Sequence, residues 1–185
     1  AKSYLDMFDQ VREERQVAPR RTFKAPTVRT STIALPEIRL DHMARLTDDV
    51  GILQHAIYSV PDRAYGYCTD DNARALMVAT LARPYYSDIQ HLDSLADRYI
   101  SFIKHAFSSE TAAFRNFLGY DRRWLEDEGS QDSQGRALWA LGVVVSSSDD
   151  ERLKAVAAVL FHQAIPTAER CSAVRAIAFT LLGAN

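Results

Sequence analysis

Residues 72–82 read NARALMVATLA, and the pattern returns as QGRALWALGVV at 134–144 and as AVRAIAFTLLG at 173–183. Each copy places Arg-Ala-(Leu/Ile) ahead of small and apolar residues, with the arginines at 74, 136 and 175. Each of the two intervals between those arginines has room for a second helix. Segments 89–107 and 150–163 supply it, both with helical period and one polar side. That side carries Asp93, Asp97, Arg98, Ser101 and Lys104 in the first, and Glu151, Arg152 and Lys154 in the second. A nearly all-apolar helix alternating with an amphipathic one is the pattern of stacked helical hairpins, the first buried and the second facing solvent. Ala73, Ala75, Ala79, Ala82, Ala137, Ala140 and Gly142 are small enough to let such inner helices approach closely.

Working outward, the helical period predicts segments at about 37–47, 71–83, 89–107, 133–146, 150–163 and 171–182. Strand signals are scarce. The strongest is AAFRNFLGYDRRWL (112–125), where aromatic and polar residues partly alternate, as in a long loop or a short hairpin. The expected fold is therefore all-α: an incomplete ring of stacked helical hairpins with one elaborate aromatic and acidic connection. In front of it, Tyr4, Leu5, Phe8 and Val11 share one face of a helix at 3–15, and a basic stretch with two prolines predicts a linker over 16–34. The main domain is expected to run from 35 to 185. An array that stops after two and a half hairpins leaves an apolar face, to be covered by the rest of a parent chain or by a second copy.

Composition excludes several classes. The chain has 185 residues, 47% apolar and 25% charged, with a formal charge of −2, so no overall basic field points to nucleic acid. No run of 18 apolar residues predicts membrane insertion, and the start lacks the apolar centre of a signal peptide. Cys68 and Cys171 are far apart and outside any Cys-x-x-Cys pair, which reads as two free thiols in a reducing compartment, the cytoplasm. Nothing predicts a metal or a cofactor: there is no Gly-rich phosphate loop, no Gly-x-Ser-x-Gly elbow and no metalloprotease His pair.

Chemistry concentrates in two stretches. In CTDDNAR (68–74), Asp70 and Asp71 stand at a helix start, where a cap and the helix dipole account for one acidic or hydroxyl residue. Asp132 and Ser133 precede Arg136 as Asp70 and Asp71 precede Arg74, whereas Cys171 and Ser172 hold those offsets in the third copy. The extra carboxylates at 70 and 132 suit capping, arginine pairing or active-site duty, and inner-helix starts would open on one shared cleft. The second stretch, FRNFLGYDRRWLEDEGSQDS (114–133), combines Phe114, Phe117, Tyr120 and Trp124 for stacking with Asn116, Arg122 and Arg123 for hydrogen bonding. Asp121, Glu126, Asp127, Glu128 and Asp132 add carboxylates. Aromatic faces beside planar polar groups suit sugar rings, and glycoside hydrolysis needs two carboxyl groups. The same residues would equally serve as core aromatics and a solvated acidic run. His55, which leads into the acid pair, is a hydrogen-bonding or substrate-contacting candidate.

LTDDVGILQHAIYSVPDRAYGYCTDDNARAL (46–76) and NFLGYDRRWLEDEGSQDSQGRALWALG (116–142), in that order, resemble a bacterial glycosidase-like domain. That domain often follows a group 1 glycosyltransferase of the GT-B fold. The resemblance covers about 35–142 and implies a toroid of the six-hairpin glycosidase type, with a preceding glycosyltransferase ending in the 3–15 helix. It assigns Asp70, Asp71, Asn72 and Arg74 to one motif. Asn116, Tyr120, Asp121, Arg122, Arg123 and Trp124 fall in a second, and Asp132 and Arg136 in a third. Gln131 and Gln134 stand where the family has Glu and His, which removes two titratable groups.

The expected function is a glycoside-hydrolase-like module acting on a poly- or oligosaccharide. Its candidate acid and base are Asp70 or Asp71 with Asp121 or Asp132. Tyr120 and Trp124 would stack on sugar, His55, Tyr67, Asn72 and Asn116 would contact substrate, and Arg74, Arg122, Arg123 and Arg136 would orient the carboxylates. The alternatives are a sugar-binding module without catalysis and a helical scaffold for protein partners.

Overall fold

In a computed structural model of the chain, the structure describes Gln10, residues 37–86 and residues 88–185. The helix expected at 3–15, Gln10 apart, and the linker at 16–34 lie outside the described residues. Residues 37–185 carry six α-helices: α1 (Asp41–Leu46), α2 (Thr69–Ala82), α3 (Ile89–Ala106), α4 (Gln131–Ser147), α5 (Glu151–Arg170) and α6 (Val174–Ala184). The three Arg-Ala-(Leu/Ile) copies are α2, α4 and α6. α4 is the hub, packing against α2, α5 and α6, while α3 packs on α2.

The expectation of an all-α chain is overturned by five strands. β1 (Leu53–Ile57), β2 (Val60–Cys68) and β5 (Phe117–Leu118) form an antiparallel sheet in the order β1-β2-β5, and β3 (Phe107–Ser108) pairs with β4 (Ala113–Phe114). The fold is mixed, helical with two small sheets. The β1–β2 hairpin is hidden in the sequence for physical reasons. Its turn, Tyr58-Ser59, has no glycine, and Tyr58 itself takes the left-handed conformation at φ 57°. Pro61 sits inside β2, and most of β2 up to Gly66 is exposed or half-buried on both faces, so no clean alternation of apolar and polar residues develops. Gly66, at φ 65°, turns β2 against the backbone of β5, where a Cβ would lie 3.0 Å from the Gly119 carbonyl carbon. The 112–125 stretch divides between the two sheets, and Trp124 bridges back to Leu118.

The main core lies between α2, α3, α4 and α5. Leu76, Ala79, Leu92, Leu95, Tyr99, Ile103, Leu138, Leu141, Leu153 and Leu160 fill it, with Phe114 sealing the sheet end. A second cluster, Leu53, Tyr67, Phe102 and Leu118, joins the three-stranded sheet to α3. α6 is mostly apolar yet leaves several of its large apolar residues exposed. Ala176 is buried, whereas Val174, Leu181 and Leu182 are exposed. Among the described residues no helix is long and apolar enough to cross a membrane.

Candidate functional site

The starts of α2, α4 and α6 open on one cleft of about 510 Å³. Local chemistry fixes the head of α2. The Cys68 sulfur accepts the Asp71 N–H, Thr69 N–H donates to the Asn116 carbonyl at 2.8 Å, and Asp70 N–H donates to Asn116 Oδ1 at 3.3 Å. Thr69, fully buried, also donates its hydroxyl to the Arg115 carbonyl at 2.6 Å. The helix is thus tied to the β4–β5 connection rather than capped by its aspartates, which frees both carboxylates for the cleft. Ser130 performs the same duty for α4 by accepting the Ser133 N–H. For α6, Gln131 Oε1 accepts Ser172 N–H at 2.8 Å and Ala173 N–H at 2.7 Å.

Across the three helices the charges interlock. Arg136 Nε of α4 donates to Asp70 Oδ1 of α2 at 3.0 Å, and Arg175 of α6 donates to Asp132 of α4. Arg74 turns back on its own helix, 2.7 Å from Asp70 Oδ2 and hydrogen-bonded to Asp71. Asp71 Oδ2 also accepts the Cys68 thiol at 3.0 Å. Arg136 is gripped from its other face, with its guanidinium 3.9 Å from the Phe179 ring centroid and Phe179 stacked on Trp139. The Arg175 hydrogen bond holds the Asp132 carboxyl below the usual carboxylate range. Burial, then the neighbouring Asp71, pushes the Cys68 thiol far up, so Cys68 stands as a neutral donor and not as a nucleophile.

The cleft gathers His55, Asp70, Asp71, Arg74, Asn116, Asp132 and Arg136 from the residues expected at a site. Phe117, expected to stack, lines it too, as do Gln54, Cys68, Ser130, Ser133 and Arg175, which sequence reasoning did not place there. Phe117 is 40% exposed and offers an apolar side chain in a largely polar wall. His55 meets Tyr65 edge-on, with centroids 4.4 Å apart, and Tyr65 is itself exposed. The third copy of the repeat was the available signal for Arg175.

The other candidates do not line the cleft. Tyr67 is buried and donates its hydroxyl to Asp48 at 2.6 Å, with burial and then Asp48 raising its pKa. Asn72, fully buried, accepts Ile52 N–H at 3.0 Å and donates to the Cys68 carbonyl at 2.9 Å, clamping the approach to β1 onto α2. Trp124 packs beside Phe102 and His105, at 5.7 Å and 5.2 Å between centroids, under the Arg115 guanidinium. Asp121 accepts Arg123 N–H at 3.2 Å within a tight turn, Tyr120 accepts from Arg63 at 3.0 Å, and Arg122, at φ 64°, pairs with Asp49 at 2.6 Å. Gln134 is a core strut: it accepts Phe114 N–H at 2.8 Å and donates to the Phe114 carbonyl at 2.6 Å.

Chemically, the cleft is a row of hydrogen-bond donors and acceptors in which each carboxylate already meets a guanidinium. Asp70 Oδ1 accepts from Arg136 Nε at 3.0 Å, and the Arg74 guanidinium lies 2.7 Å from Asp70 Oδ2. Among the described residues no group of three or more His, Cys, Asp or Glu could hold a metal ion. Compared with family models, with curated proteins and with solved structures, the chain matches none.

Proposed function

We propose that residues 37–185 form a carbohydrate-handling module whose cleft recognises a glycan without cleaving it. One observation carries this reading: the cleft pairs an exposed aromatic ring, Phe117, with a wall of Asp–Arg pairs and Asn116. A sugar ring presents an apolar C–H face to such a ring and hydroxyls to such a wall. The resemblance of the 46–76 and 116–142 stretches to glycosidase-like domains supports the same substrate class. Hydrolysis needs one carboxyl group able to donate a proton and another acting as base or nucleophile. Every carboxylate of the cleft is already paired with an arginine, and Arg175 holds Asp132 below the usual carboxylate range, which argues against Asp132 in the first of these roles.

One observation favours hydrolysis as the second reading: Asp70, Asp71 and Asp132 reach a single cleft. A glycan array probed with the whole chain, followed by a reducing-end assay on every glycan bound, separates the two. Binding without new reducing ends is the expected result, and Phe117→Ala should weaken it by about tenfold, the loss of roughly one stacking contact. New reducing ends that vanish in Asp70→Asn would select hydrolysis. Failure to bind any glycan would remove both readings.

A further inference from the structure

Building on that reading, we infer that the cleft takes a neutral glycan, held through neighbouring hydroxyls, and turns away uronates and other acidic sugars. The charges lining the cleft are three carboxylates, Asp70, Asp71 and Asp132, and three guanidiniums, Arg74, Arg136 and Arg175. Every one of those guanidiniums is already bonded to one of those carboxylates: Arg74 to Asp70 and Asp71, Arg136 to Asp70, and Arg175 to Asp132. A ligand carboxylate is an acceptor only. Bonding to a guanidinium N–H left over from an internal pair, it would stand beside the aspartate that the same arginine already holds, and the like charges repel.

The starts of α2 and α6 offer no alternative. At the head of α2 the first amides donate to the Asn116 carbonyl, Asn116 Oδ1 and the Cys68 sulfur. Before α6, the Ser172 and Ala173 amides donate to Gln131. The positive ends of the α2 and α4 dipoles face Asp70, Asp71 and Asp132, placed in their first turns. The three carboxylates and three guanidiniums of the cleft balance, which leaves no net positive charge among them to draw an anion.

A hydroxyl has what this wall asks for, since it donates and accepts at once. One sugar hydroxyl can donate to an aspartate oxygen while accepting from the arginine beside it, and its neighbour on the ring can do the same at the next pair. The internal pairs then stay intact and gain a bridging group.

The test uses the whole chain and titrates it with neutral polymers, a β-glucan and a mannan, and with acidic ones, polygalacturonate and alginate. Each titration is run at about 20 mM and about 500 mM salt, where the screening length falls severalfold. The expected result is binding to a neutral polymer that changes by less than about twofold between the two salts, with no acidic polymer bound. Acidic polymers that bind at low salt and are released at high salt would overturn the inference while leaving glycan recognition standing. Absence of binding to all four would overturn the inference together with the proposed function. Asp132→Asn supplies the second arm, because it leaves Arg175 without its carboxylate. It should bind polygalacturonate measurably at low salt, where the unaltered chain does not, and release it at high salt. An unchanged preference in Asp132→Asn would also overturn the inference.

Discussion

Gly142→Ala should destabilise the fold even though helix propensity alone makes it stabilising. Gly142 sits inside α4, where alanine is favoured over glycine by about 1 kcal/mol. Its missing side chain is, however, the contact with α6. A Cβ there would lie 2.6 Å from both Cα and the carbonyl carbon of Gly183, and closer still to the Gly183 oxygen. Carbon atoms pack at about 3.5–4.0 Å, so the two backbones must part by about 1 Å. Nothing flexible can move aside, because the obstruction is main chain. Overpacking of a close contact costs about 1–3 kcal/mol, and two rigid helices belong at the upper end. The net loss is then about 2 kcal/mol, or roughly a 1 M fall in the urea midpoint at an m-value of about 2 kcal/mol/M. Gly183→Ala meets the same seam from the other side, with its Cβ 2.8 Å from Leu138 carbonyl carbon and Trp139 Cα. Once one substitution has opened the seam the second finds room, so the double variant should lose less than the sum of the two. Urea unfolding followed by far-ultraviolet circular dichroism reads all three variants. A midpoint for Gly142→Ala equal to or above that of the unaltered chain would refute the seam.

Asn72→Leu should cost about 2 kcal/mol in the same assay, since it leaves the part-buried Ile52 N–H unpaired and removes a hydrogen bond to the Cys68 carbonyl, an unpaired group costing about 1–3 kcal/mol. A loss below about 1 kcal/mol would mean that water or a shifted loop satisfies both groups. The Asp132–Arg175 pair should act only on one side of a pH boundary. A carboxyl depressed in the folded state, as Asp132 is by Arg175, adds stability that is full above the unfolded pKa of about 4 and fades as pH falls through the lower folded value. The thermal midpoint of Asp132→Asn should therefore sit below that of the unaltered chain near pH 7, and the two should converge as pH drops below about 4. A gap that persists unchanged at about pH 2 would take the pair out of the stability of the α4–α6 seam.

Helices were legible in this sequence because burial imposes a period, and the repeated Arg-Ala-(Leu/Ile) marks α2, α4 and α6 in turn. α5 runs past its expected end near 163 to Arg170, carrying Pro166 inside it, because the helix keeps burying Ala164 and Thr167 and packing outweighs a local breaker. The strands were not legible. β1–β2 is half-exposed on both faces, and β3, β4 and β5 have two residues each, too short for any period. The site was legible where residue type and helix position coincide, at Asp70, Asp71, Arg74, Asp132 and Arg136. In the 116–124 stretch it was legible only in part: Asn116 and Phe117 line the cleft, whereas Trp124 and Arg122 look alike in sequence whether they face a ligand or hold a turn. Only the packing on Phe102 and the pair with Asp49 decide between those cases.

The spacing of the charges accounts for the doubled aspartate at the head of α2. In the first two copies of the repeat an aspartate stands four residues before the arginine, at 70 and 74 and again at 132 and 136. Such a pair could close on itself within one helix. In the first copy it does, through Arg74 and Asp70, and in both copies the aspartate also takes the arginine of the next: Asp70 takes Arg136, and Asp132 takes Arg175. The spacing therefore latches one helix to its successor and fixes which helices are neighbours. A latch of this kind leaves its first arginine without an upstream partner. Arg74 is that arginine, and it folds back onto Asp70 and Asp71 together. Asp71 supplies the acceptor that a preceding helix would otherwise provide, which is why the first copy carries two aspartates where the second needs one. At the other end Cys171 holds the aspartate position, so α6 receives the latch from α4 and offers no carboxylate of its own at that offset.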